Sequence, residues 1–164
     1  MKYMKETLKV KGKIRVRGWK AGTKELMCES ICDPNLVMTG SGTGRDLFIQ
    51  YLIGVLSGAL SGGINYIAIG TSSTAATATD TQLGSESARA IVSYTQDVSF
   101  SEAILQCFIT DTNLPNATYN EVGSFVNGTA SANTGNIFNH GILSSPYVKV
   151  SGQDTTIEID ITFT

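Results

Sequence analysis

Histidine occurs once in this chain, at His140, tryptophan once, at Trp19, and proline three times. One histidine excludes a multi-histidine metal centre, and a Ser/His/Asp triad would have to be built on His140 alone. Its setting, Asn139-His140-Gly141, lies in a strand-like run. A histidine there is expected to face solvent or a partner rather than to serve as a general base. Charge is scarce too. Asp, Glu, Lys and Arg make up 16% of the 164 residues, where about a quarter is usual. That argues against a helical enzyme, whose solvated faces need those side chains, while hydrophobic residues at 41% argue against disorder. The length suits one domain.

The cysteines, Cys28, Cys32 and Cys107, cannot all pair within the chain, so a disulfide framework is not expected and synthesis in a reducing compartment is. A bridge between subunits stays open. Zinc on Cys28 and Cys32 would need Cys107 and His140 from distant strands, so no metal site is expected. The longest apolar run, Leu47 to Leu60, is too short to span a bilayer and is broken by Gln50, Gly54, Ser57 and Gly58. No apolar segment of signal-peptide type follows the basic N-terminus. Neither a membrane nor a secretory route is expected, and the sequons at Asn116 and Asn127 read as chance matches.

What is present is turn chemistry and period-two alternation. Glycine counts 17, with abundant Ser, Thr and Asn. Lys9 to Arg17 alternates basic and mostly apolar residues, as a strand with one basic face does. Residues 18 to 23 turn the chain and Lys24 to Ile31 return it, giving an N-terminal basic β-hairpin that ends at Asp33-Pro34-Asn35. Further strands are expected at 64–71, 89–95, 98–100, 103–110, 121–126 and 137–144. A closing hairpin should pair 148–150 with 156–164, whose Ile157, Ile159, Ile161 and Phe163 share one face. Between the N-terminal hairpin and these strands, Leu47, Phe48, Tyr51, Leu52, Val55 and Leu56 fall at helical spacing and predict one helix over about 45–57. The expected fold is all-β: an antiparallel β-sandwich or jelly roll with that helix, a hairpin unit over 1–35 and a body over 36–164.

Few motifs carry chemistry. Gly40-Ser41-Gly42-Thr43-Gly44 could seat a phosphate at a helix start, but no Lys-Ser/Thr follows and no second βαβ unit exists, so it reads as a hinge and no cofactor is expected. Glu158 and Asp160 share a strand face, which alternation alone explains. The charge distribution says more. Residues 1 to 24 carry nine Lys and Arg against Glu6, net +8, and the remaining 140 carry net −10. Like charges along one strand face repel unless something acidic covers them. Lys9, Lys11, Lys13, Arg15 and Arg17 are therefore the candidate interaction residues, expected to dock on an acidic protein surface. Nucleic acid fits less well, because stacking aromatics are not interleaved with the charges.

Ile64-Asn65-Tyr66-Ile67-Ala68-Ile69-Gly70-Thr71, a Ser/Thr/Ala loop, and Asp80-Thr81-x-Leu83-x-x-Glu86-x-x-Arg89 resemble a pattern in small structural proteins of tailed bacteriophages. There a strand ends in Ala-Leu-Gly-Thr-Gly, and Asp-Thr-x-Leu with a Glu and an Arg precedes the next strand. Asn120 to Phe125 and the strand from Thr155 to Phe163 are similar as well, so the likeness covers about Leu36 to Thr164. Ser72 departs from the second glycine and Ser124 from a leucine. The resemblance implies a virion protein made in the host cytoplasm, a β-sandwich with no catalytic residues. Its partners would be further copies of itself, with a trimer expected by analogy, and the major capsid or tail protein. Capsid decoration or a head fibre is the first role implied, and a tail, baseplate or carbohydrate-binding fibre component the second. Within the motif, Asp80, Glu86 and Arg89 are candidates for pinning the loop.

Overall fold

The computed structural model describes residues 10–37, 63–99 and 101–163. The helix expected over 45–57, the glycine cluster at 40–44 and Lys9 lie outside these. The described residues form nine strands and no helix: β1 (Val10–Lys20), β2 (Leu26–Val37), β3 (Ile64–Gly70), β4 (Glu86–Ile91), β5 (Tyr94–Ser99), β6 (Glu102–Ile109), β7 (Thr118–Val126), β8 (Asn136–Val148) and β9 (Gln153–Phe163). Every pairing is antiparallel. The front sheet runs β2-β1-β9-β6-β5 and the back sheet β4-β3-β7-β8-β2. Strand β2 belongs to both, pairing with β1 from Leu26 to Asn35 and then with β8 at Leu36 and Val37.

Alternation decides which side of each strand faces inward. In β1, Ile14 and Val16 are fully buried while Lys11, Lys13, Arg15 and Arg17 occupy the other face. The partner strand β9 sets Ile159 beside Ile14 and Ile157 beside Val16. Ile67 and Ile69 of β3, Val122 and Val126 of β7, and Phe138 of β8 close the core from the back sheet. Each buried aliphatic or aromatic side chain of this kind contributes about 1.5–3 kcal/mol. A slip of one residue in β1 or β9 would turn the isoleucines outward and the charges inward, so the register is strongly specified.

Two expectations about connectivity meet different outcomes. β1 and β2 do pair around the turn at 21–25, where Gly22 has φ 71° and the Thr23 N–H donates to the Lys20 carbonyl at 2.9 Å. Strand β1 lies inside the front sheet, flanked by β2 and β9. The closing hairpin, by contrast, does not form. β8 pairs with β7 and the end of β2, whereas β9 lies between β1 and β6. Residues 149–152 instead carry the chain from one sheet to the other. Lys149 is turned inward there and donates to Asp111 at 2.5 Å, Asn116 Oδ1 at 3.2 Å and the Val150 carbonyl at 2.8 Å. Asp111 also accepts the N–H groups of Gly152 and Gln153, and these contacts hold its carboxyl below the usual carboxylate range, the Lys149 hydrogen bond most of all. Between β1 and β6 in the front sheet, β9 turns Ile157, Ile159 and Ile161 into the core against side chains of the back sheet.

Candidate functional site

The outer face of the back sheet is covered by its own chain. After β3, residues 71–85 lie across it, and Leu83 is buried with Ala68, Phe125 and Ile137. The leucine sits over Gly123, where an added Cβ would lie 2.9 Å from its Cδ2. Glu121 of β7 and His140 of β8 point to the same face, diagonal to one another in a register that sets Gly123 opposite His140 and Glu121 opposite Ile142. Both are buried. An added Cβ on Gly70 would come within 2.4 Å of Glu121 Oε1, so the glycine that ends β3 opens the path by which this carboxylate reaches the loop.

Glu121 accepts the backbone N–H groups of Ser72 at 3.2 Å, Gly84 at 2.9 Å and Ser85 at 2.7 Å. His140 joins it through Nε2 at 3.0 Å and joins Asp80 through Nδ1 at 2.7 Å. Asp80 in turn accepts the N–H of Thr77 at 2.9 Å and its hydroxyl at 2.5 Å. Burial alone would lower the His140 pKa, but its hydrogen bonds to Glu121 and Asp80, together with their charges, reverse this and raise it above 6.5. Burial likewise works to raise both acids. For Asp80 the Thr77 and His140 hydrogen bonds win, and for Glu121 those from His140, Gly84 and Ser85, so both fall below their ordinary values. In its protonated form the imidazole donates to a carboxylate from each ring nitrogen.

Along the same loop, Arg89 of β4 forms a two-pronged ion pair with Glu86, Nε to Oε1 at 2.6 Å and Nη2 to Oε2 at 2.7 Å. Their side chains are only 3% and 1% exposed. The remaining Arg89 nitrogen donates to the carbonyls of Thr129 and Thr134, and the guanidinium lies 4.6 Å from the centroid of the Phe125 ring. Glu86 also accepts the N–H of Asn133. Asp80, Glu86 and Arg89 are thus brought to one face, where each holds loop backbone. From the sequence Glu121 enters only as part of the Asn120–Phe125 stretch that resembles the phage pattern, with no role attached to it.

This arrangement leaves no nitrogen of His140 for a nucleophile, since a general base needs one ring nitrogen free to take a proton and here each faces a carboxylate. The expectation that His140 faces solvent or a partner is corrected: the residue is buried, because the loop at 71–85 covers its side of the sheet, a covering that local sequence pattern does not show. Among the described residues no cluster of His, Cys, Asp and Glu could hold a metal ion, and the three cysteines are free thiols. Burial pushes the Cys107 thiol up to about 12. No described helix is long and apolar enough to cross a membrane.

On the front sheet's outer face the basic strand meets acids of its own chain. Lys13 pairs with Asp33 at 2.9 Å, Arg15 with Glu158, and Arg17 with Glu29 at 2.7 Å and Glu158 at 3.3 Å. Trp19 Nε1 donates to Thr156 at 3.0 Å. Mutual repulsion along β1 is therefore offset within the fold, contrary to the expectation that an external acidic partner is required. The reason is that β2 and β9, far apart in sequence, set Glu29 and Glu158 on either side of the basic row. Lys11 is exposed. Compared with protein-family models, curated proteins and solved structures, the chain has no match among them.

Proposed function

We propose that this protein is a structural component of a bacteriophage virion, of capsid decoration or head-fibre type, and that it carries no catalytic activity. One observation supports the reading above others. Of the residues that carry the resemblance, Asp80 and Leu83 fasten the long loop to the back sheet, Gly70 leaves the space through which Glu121 reaches that loop, and Glu86 and Arg89 hold the neighbouring loop at 129–134. A segment whose distinctive residues all hold backbone in place suits a scaffold that must keep its shape in an assembly. Charged groups in a reactive site would instead be left partly unsatisfied and open to substrate.

Attachment to the major capsid or tail protein is assigned to the front sheet's outer face, where Lys11, Lys13, Arg15 and Arg17 lie, with several copies per particle. Quantitative gel analysis of purified particles is the test. Hundreds of copies per particle fit decoration. A handful, together with saturable sugar binding by the isolated protein, would move it to the tail, and absence from particles would overturn the reading.

A further inference from the structure

Strand β5 is the last strand of the front sheet, hydrogen-bonded to β6 on one side and, among the described residues, to no strand on the other. All six of its residues are exposed, including Tyr94 at 49% and Val98 at 45%. A free edge offers a row of N–H and C=O groups to any passing strand, and proteins ordinarily guard such edges with lysine, proline or a covering loop. Tyr94-Thr95-Gln96-Asp97-Val98-Ser99 contains no lysine, arginine or proline and a single charge. The back sheet's edge strand, β4, is treated differently, since its Glu86 and Arg89 are tied to the loop at 129–134.

We propose that β5 pairs with β5 of a second copy of this chain, antiparallel about a two-fold axis at Gln96, so that two front sheets become one continuous sheet. This goes beyond the reading above, which places several copies in one particle, and names a surface by which two copies would meet. Register decides the matter. With the axis at Gln96, Tyr94 faces Val98 of the second copy, Thr95 faces Asp97, and the two glutamines meet at the centre. Each apolar residue then opposes an apolar one, a hydroxyl opposes each carboxylate, and no like charges face each other. A two-residue shift one way sets Asp97 against its own copy. The opposite shift leaves Val98 without its tyrosine. One-residue shifts break the hydrogen-bonding alternation of an antiparallel pair. The contact is isologous and closes at two copies, unlike the trimer expected by analogy, which would need two different surfaces.

The test uses the purified full-length chain, so it is independent of whether the protein occurs in particles. Sedimentation velocity at roughly 10–100 μM, the range where modest interfaces are populated, should show a dimer. Gln96→Lys, which sets two ammonium groups at the axis, should weaken it at least about tenfold. Circular dichroism should stay as in the wild type, as should the thermal midpoint measured at a dilution where both are monomeric, because the position is exposed. Under mild oxidation Gln96→Cys should cross-link with itself, whereas Thr95→Cys should cross-link to Asp97→Cys when the two are mixed and more slowly with itself. A monomer over that range, a dimer indifferent to Gln96→Lys, or cross-linking without this register preference would overturn the proposal.

Discussion

The outer faces of the two sheets use the same chemistry to different ends. Each carries arginine–glutamate pairs. On the front sheet, Arg17 and Glu29 are 25% and 35% exposed and reach each other in sight of water. On the back sheet, Arg89 and Glu86 are sealed under loops. In high dielectric an ion pair repays little of the entropy needed to hold it, so the front ladder chiefly cancels repulsion along β1. Out of water each charge must have all its partners, because a single missing one leaves a desolvated ion. The difference teaches that here burial, more than residue type, sets the energetic weight of a pair.

The sharpest way to break this comparison is Arg89→Ala. It strands Glu86 under the loop and should cost about 3–5 kcal/mol in denaturant unfolding, whereas a loss comparable to that of a surface substitution would erase the distinction. Next is Glu121→Ala, which removes the acceptor of the Ser72, Gly84 and Ser85 N–H groups. A loss of about 1–3 kcal/mol is expected, and limited proteolysis should cut within 72–86 before it cuts any strand.

The pH dependence sharpens the picture. His140 is raised above 6.5, so its contribution is complete below that pH and is lost as pH rises through the raised value. Asp80 and Glu121 are depressed below 3.8 and 4.5, so theirs is present above those values and is lost as pH falls through the depressed ones. Unfolding midpoints should therefore be flat between 4.5 and 6.5 with respect to this cluster and decline on its alkaline side. His140→Gln should flatten that decline. A wild-type decline unchanged by the substitution would assign it to other groups.

On the front face the effects shrink. Arg17→Gln should cost at most about 1 kcal/mol and less as salt rises, measured by the same unfolding curves at two ionic strengths. Smallest of all, Lys11→Gln should leave stability within about 0.5 kcal/mol. Combined with Lys13→Gln it should lower incorporation into particles if this face is the attachment surface; unchanged occupancy would clear the basic row of that role.

Period-two strands were the most legible feature, because alternation is a local property that any correct sandwich must satisfy. β1, β3 and β9 lie close to where Lys9–Arg17, Ile64–Thr71 and Thr156–Thr164 alternate. The sequence predicts a closing hairpin that does not form, because two adjacent strands with a short Gly-containing turn look alike whether they pair or change sheets. Only the competition among β1, β6 and β8 for the edges of β9 decides it. Within the site, Asp80, Glu86 and Arg89 are legible in the sequence as loop-holding residues, whereas the burial of His140 and its pairing with Glu121 are not. The functions of these two depend on a loop some forty to seventy residues away along the chain.

By itself the amino-acid sequence determined that the described part of this chain is built mainly of strands, which residues turn inward along β1 and β9, and that positive charge gathers on one strand. Those are consequences of composition and of a two-residue period. Tertiary structure alone decided that Glu158 and Glu29 would neutralise that strand, that β2 would serve both sheets, and that one histidine would be shared by two carboxylates beneath a loop. Each of these joins residues remote in sequence, and desolvation and charge act through distance in space, which no local pattern records.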